Sequence, residues 1–223
     1  MGCSAVGYCS KECQRADWSG KNGHKYVCQA RRVSHAANPP SVHKAGVFVY
    51  IGGEGHSIPQ DVAHVNVHPT VRAIEDWAFF RRLELKIVNL REGLEEIGQA
   101  AFGECTSLHE ILIPPAVKAI KRQAFLRCSQ MTTVILGKGL EEIREAAFGQ
   151  CSLLHEILIP HTIKSIKEAT FLRCSQMTKV FLGEGLEEIG VDAFCECTSL
   201  QEISISPPPS KRLRTRHSCS VRS

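Results

Sequence analysis

Four cysteines and a histidine crowd the first 28 residues of this 223-residue chain. Cys9 and Cys13 are separated by three residues, as are His24 and Cys28, and such thiolate and imidazole half-sites suit a tetrahedral, borderline-soft ion such as Zn2+. A second reading is a lipidated terminus, since Gly2 is followed by Cys3, although Val6 replaces the usual Ser or Thr. A third is a cysteine-rich loop without a metal role. Two further groups could do chemistry. Glu95-Glu96, Glu141-Glu142 and Glu187-Glu188 are paired carboxylates of the kind used in acid/base catalysis. Cys105, Cys128, Cys151, Cys174 and Cys197 are thiols at a constant interval of 23 residues, with Cys195 outside their column as the more reactive candidate.

The run YCSKECQRADW followed by GHKYVC resembles the MYND-type zinc finger, in which eight ligands hold two interleaved zinc ions. Carried over by position, the resemblance makes Cys3 the second member of the family's second cysteine pair, Cys9 and Cys13 the next two ligands, and His24 and Cys28 the last two. One site then draws on Cys9 and Cys13, the other on Cys3, His24 and Cys28, and the first three family ligands would lie before Met1. A start upstream of Met1 is therefore expected. Small metal domains draw their folding free energy from the ion, so this segment should be loosely ordered without its full ligand set.

What must position these groups is a repeat. Measured from each column cysteine, apolar residues recur at fixed offsets: Leu108, Ile111, Ile113, Val117, Ile120, Ala124 and Phe125 in one unit, and Met131, Val134, Leu136, Leu140, Ile143, Ala147 and Phe148 in the next. Upstream the pattern runs without the cysteine, through Leu90 and before it through Ala78 and Phe79, so that it covers about Val62 to Ile205. Segments such as EILI and TVIL alternate with the period of a strand buried on one face. A unit this short cannot bury its own apolar face, so the units must stack as a solenoid with one short strand per coil in a common curved sheet. The recurrence of the paired glutamates at one repeat position makes them a solvated turn. Recurrence beside the apolar ladder makes the column cysteines small buried hydrophobes. AFGECTSLHEILIPPAVKAI resembles the BspA-like (Treponema-type) leucine-rich repeat, which implies a curved, non-catalytic recognition scaffold.

The units alternate between an IP turn and an LG or LRE turn, giving a period of two coils. At the offset following the turn stand Arg72, Glu95, Lys118, Glu141, Lys164 and Glu187. Coils about 4.8 Å apart would turn this column into a ladder of alternating charge that resists a one-coil slip. Between the inward positions lies an outward one, occupied by Asn66, Asn89, Leu112, Ile135, Leu158, Phe181 and Ser204. A stripe of Leu112, Ile135, Leu158 and Phe181 on an exposed face is unusual for a monomer. It is expected to dock a protein partner or a second copy, flanked by His109, His155, Thr133 and Lys179, unless neighbouring long side chains cover it.

The organisation expected is a partial finger at 1–28, a linker at 29–46, the solenoid with its N-terminal cap strand VFVYI at 47–206, and a basic, disordered tail at 207–223. The net charge of +4 is uneven: residues 1–46 hold 7 Lys/Arg against 2 acids, residues 47–206 hold 15 against 21, and residues 207–223 hold 5 against none. Polyanion contacts would therefore belong to the ends. No uninterrupted apolar run approaches the roughly 18 residues of a membrane span, and no secretory apolar segment opens the chain. Odd cysteine number with ordered spacing points to reduced thiols and an intracellular site, nuclear or cytoplasmic. No phosphate loop, nucleophile motif or complete catalytic metal site is legible. The expected function is a non-enzymatic protein-interaction scaffold. The alternative is a regulatory or targeting subunit reaching nucleic acid through KRLRTR, with nucleic acid the less favoured partner and no membrane.

Overall fold

The computed structural model of the protein describes residues 47–53, 58–206 and 214–215. The proposed finger, the linker and the remainder of the tail lie outside them. A series of longer strands comprises β1 (Val47–Tyr50), β2 (His64–Val67), β4 (Ile87–Asn89), β6 (Glu110–Leu112), β8 (Thr133–Ile135), β10 (Glu156–Ile159), β12 (Lys179–Gly183) and β14 (Glu202–Ser206). Between them fall two-residue strands: β3 (Ala73–Ile74), β5 (Glu96–Ile97), β7 (Ala119–Ile120), β9 (Glu142–Ile143), β11 (Ser165–Ile166), β13 (Glu188–Ile189) and β15 (Arg214–Thr215). Each coil thus carries the expected strand and, on a second side, a shorter one. All pairing is parallel and in repeat register, with Glu110 beside Thr133 and Glu156 beside Lys179. The seven short strands form one continuous sheet, and the longer ones pair as β1-β2-β4, β6-β8 and β10-β12-β14.

Alternation explains which side chains turn inward. Ile111, Val134, Ile157 and Val180 are buried, as are the turn residues Val117, Leu140, Ile163 and Leu186. Leu90, Leu136 and Ala78 are only partly buried, packed against the rim of the same core. Down the axis runs a column of phenylalanines. Phe79, Phe102, Phe125, Phe148, Phe171 and Phe194 stack with centroids 5.1, 5.3, 5.2, 5.7 and 5.4 Å apart and ring planes within 8° of parallel. Tyr50 closes the N-terminal end of this column, packing edge-on against Phe79 at 5.0 Å while its hydroxyl accepts the Glu75 N–H.

The third side of each coil turns through two left-handed residues, as at Gln123 and Arg127 or Ala169 and Arg173, with φ between 53° and 60°. For a non-glycine residue this costs roughly 1–2 kcal/mol. The offset is a hydrogen-bond ladder that runs through the turn itself. The N–H groups of Gln123, Phe125 and Arg127 all donate to the next coil, to the carbonyls of Glu145, Ala147 and Gly149 at 3.0, 2.8 and 2.8 Å. No glycine marks these positions in the sequence, which is why periodicity alone misses them.

Close packing accompanies the charge alternation at two of the turns. Gly137 lies over the Pro114 turn, where an added methyl would come within 2.7 Å of the Pro114 carbonyl carbon, and Gly183 lies as closely over His161. Gly137 and Gly183 thus follow the Pro114 and Pro160 turns at close quarters, whereas Arg91 holds the matching position one coil after His68. The charged column closes in the same pairs, Arg72 to Glu95 at 3.8 Å and Lys118 to Glu141 at 2.8 Å. In the tail, expected to lack structure, Arg214 and Thr215 instead pair with Glu188 and Ile189, because the edge of β13 offers unpaired backbone groups.

Candidate interaction face

The outward side chains of the longer strands form the candidate site. Leu112, Ile135, Leu158 and Phe181 are 62, 55, 65 and 36 % exposed, so neighbouring side chains leave them uncovered. Parallel pairing holds Leu112 beside Ile135 and Leu158 beside Phe181. The stripe has polar ends. On one side the Asn89 amide donates to the Asn66 side-chain oxygen at 2.7 Å, and on the other Phe181 is followed in register by Ser204. A β-strand repeats its facing every second residue, so the column beside the stripe is Glu110, Thr133, Glu156, Lys179 and Glu202, all exposed. Lys179 reaches Glu202 at 3.9 Å. His109 and His155 are exposed just before the strands, and the His109 ring Nδ1 lies 2.7 Å from the Ser107 carbonyl oxygen. Glu110 and Glu156 were not singled out from the sequence, though the two-residue offset from Leu112 and Leu158 could have found them.

Two of the three glutamate pairs are occupied by ion pairing at the turns. Glu95 faces Arg72, Glu96 meets Lys121 at 2.7 Å, Glu141 meets Lys118 and Glu142 meets Arg144 at 3.0 Å. A second charged column lies along the left-handed turn. Arg127 joins Glu104 at 3.0 Å and Gln150 at 3.2 Å, and Arg173 grips Glu196 with two bonds of 2.8 and 3.0 Å. Such exposed pairs contribute little to stability, so their use is register.

The column cysteines are buried thiols, and each also donates a hydrogen bond. Cys105, Cys128, Cys151, Cys174 and Cys197 reach the carbonyls of Phe79, Phe102, Phe125, Phe148 and Phe171 at 3.1 to 3.3 Å. Thiol and phenylalanine columns therefore fix one another. Burial pushes Cys105 and Cys151 up to about 12 and holds Cys128 well above the ordinary thiol range. A hydrogen bond with Cys197, and then burial, raises Cys174. Cys195, expected as the reactive thiol, is instead buried and disulfide-bonded.

Cys3, Cys9, Cys13, His24 and Cys28, the expected zinc ligands, lie outside the described residues. Among the described residues no group of three His, Cys, Asp or Glu side chains is placed to hold a metal ion. No helix there is long and apolar enough to cross a membrane.

Comparison with known proteins places both modules. Residues 1–28 match the MYND finger, and six copies of the BspA type leucine rich repeat region match over residues 51–153 and 95–214. Among solved structures the chain is similar to a Treponema pallidum leucine-rich repeat protein, TpLRR, at 21% identity and a TM-score of 0.55, covering 69% of this chain and 82% of that one. It is also similar to the pneumococcal vaccine antigen PcpA at 19% identity and a TM-score of 0.43, covering 70% of this chain and 54% of the antigen. A leucine-rich cell surface protein of Faecalibacterium prausnitzii matches at 19% identity and a TM-score of 0.33, covering 65% of this chain and 62% of that chain. No curated protein sequence matches. With the repeats spanning most of its length and the solenoid built from them, the chain belongs to the BspA-type leucine-rich-repeat family.

Proposed function

We propose that the protein is a non-enzymatic, intracellular interaction scaffold that recognises polypeptide through the outward stripe of its solenoid, with the MYND finger as a second binding module. The observation carrying this reading is the stripe itself: four large apolar side chains in successive coils, exposed on two successive parallel sheets and ending in Asn89 and Ser204. A soluble monomer seldom leaves such a patch bare. Burying one leucine contributes about 1.5–3 kcal/mol, which corresponds to tenfold or more in affinity. In the full chain, Leu158→Lys with Phe181→Lys should keep the circular-dichroism spectrum and lose at least about tenfold in binding to apolar peptides selected from a displayed library. Equal binding by the variant and the parent would reject the stripe as the recognition face.

The finger's donor set suits zinc, since thiolates and imidazole match the ion's softness. Cys3, His24 and Cys28 would supply three ligands to one ion, and Cys9 with Cys13 two to the other, each set short of the usual four. When bound, zinc supplies the folding free energy of the segment. Native mass spectrometry of the full chain should show bound zinc that decreases on Cys28→Ser. A metal content unaffected by that change would remove these residues as ligands.

A further inference from the structure

Resting on the reading of the stripe as a recognition face, we propose that its partner is a second copy of this chain. The argument comes from the two-coil alternation. Four coils in the order of two alternating types, laid face to face with their stacking order reversed, set every coil of one type opposite a coil of the other. The operation is a two-fold axis lying in the interface, running along the strands between β8 and β10.

The axis carries Leu112 onto Phe181 of the second copy, and Ile135 onto Leu158 of the second copy. The adjoining column then pairs Glu110 with Lys179 and Thr133 with Glu156, each contact occurring twice by symmetry. At the ends of the stripe Asn89 meets Ser204, polar against polar. All of these side chains except the partly buried Ser204 are exposed in the single chain.

The same charges discriminate against other registers. Sliding one copy by one coil sets Glu110 over Glu156 of the second copy, while sliding it the other way sets Glu156 over its own counterpart. Like charges facing one another suppress a wrong arrangement more strongly than rim pairs reward the right one. An isologous contact of this kind closes on itself, so the product is a dimer and not a filament. Its area is small. Four coils at about 4.8 Å and strands of about four residues give a face well below the ~800 Å² per partner of a standard interface, so a weak dimer is expected.

Sedimentation equilibrium of the full chain over about 5 to 500 µM tests this. The expected result is a concentration-dependent rise toward twice the chain mass. Glu110→Lys should weaken association about tenfold, and adding Lys179→Glu should restore it, since the swapped pair recovers both symmetric contacts. Leu158→Lys should abolish it. A chain monomeric throughout the range, or a double variant as weak as Glu110→Lys alone, overturns the dimer. If peptide binding sensitive to Leu158→Lys survives that result, only the identity of the occupant is wrong. If peptide binding is absent too, the recognition face itself is wrong.

Discussion

Phe125→Ala is expected to lower the free energy of unfolding by about 3–5 kcal/mol. Phe125 is fully buried, with Phe102 on one side at 5.3 Å and Phe148 on the other at 5.2 Å. Truncation would remove both aromatic contacts, worth about 0.5–1.5 kcal/mol each beyond area, and leave a cavity between two coils. The backbone cannot close over it, because the Phe125 N–H is tied to the Ala147 carbonyl and its own carbonyl accepts from the Cys128 N–H and the Cys151 thiol. In a solenoid each coil touches only its neighbours, so a central defect also uncouples the two halves. Against a typical stability of about 5–15 kcal/mol, the loss is large enough to broaden the transition or split it in two. Phe194→Ala should cost less, since Phe194 stacks on Phe171 at the end of the column and is already 6 % exposed. Urea unfolding followed by circular dichroism compares the two; equal losses would show that the column does not couple the coils.

The inward residues were legible because two periods coincide. Alternation within a strand and recurrence every 23 residues both assign Ile111, Val134, Ile157 and Val180 to the interior, and the structure buries all four. The outward stripe was legible for the same reason, being the other phase of the alternation. Left-handed residues such as Gln123, Ala146 and Arg173 were not. Their conformation is imposed by hydrogen bonds to the next coil, and nothing in the side chain announces it. The thiol's second role was equally hidden. A sequence shows that Cys151 falls beside the apolar ladder, but only the coil spacing shows that its thiol meets the Phe125 carbonyl.

The two-coil alternation was legible as a charge pattern, and the close packing at two of its turns was not. Arg72–Glu95 and Lys118–Glu141 are exposed pairs, so each contributes little. A side chain at Gly183, by contrast, would drive into the His161 backbone, and overpacking of that kind costs about 1–3 kcal/mol. Packing therefore fixes glycine at that turn, and the charge pairs accompany it. The outward face inherits the alternation, which is what allows Glu110 in one coil type to oppose Lys179 in the other.

The buried thiols predict a steep loss of stability in alkali. Cys105, Cys128 and Cys151 are held well above the ordinary thiol range by burial, so the fold keeps them protonated where the unfolded chain releases their protons. Their stabilising contribution is complete below about pH 9, where unfolded thiols begin to ionise, and is lost as the pH rises toward about 12, the folded value of Cys105 and Cys151. Within that window these three thiols keep three protons that the unfolded chain releases, while Cys174, raised by its hydrogen bond with Cys197, and Cys197, lowered by the same bond, act in opposite directions. Each of the three protons is worth about 1.4 kcal/mol per pH unit, so the slope approaches ~4 kcal/mol per unit once the unfolded thiols are fully ionised. Tyr50, raised chiefly by burial, adds in the same direction. Stability should therefore fall by several kcal/mol between about pH 9 and 10.5, enough to unfold a domain of ordinary stability. Cys151→Ala isolates the cause. It removes one buried titration while the Phe125 carbonyl keeps the Cys128 N–H, and it should reduce the slope by about 1.4 kcal/mol per pH unit. Urea titrations of the full chain under argon at pH 8, 9.5 and 10.5 would show parallel pH dependences for parent and variant if the thiol column were not responsible.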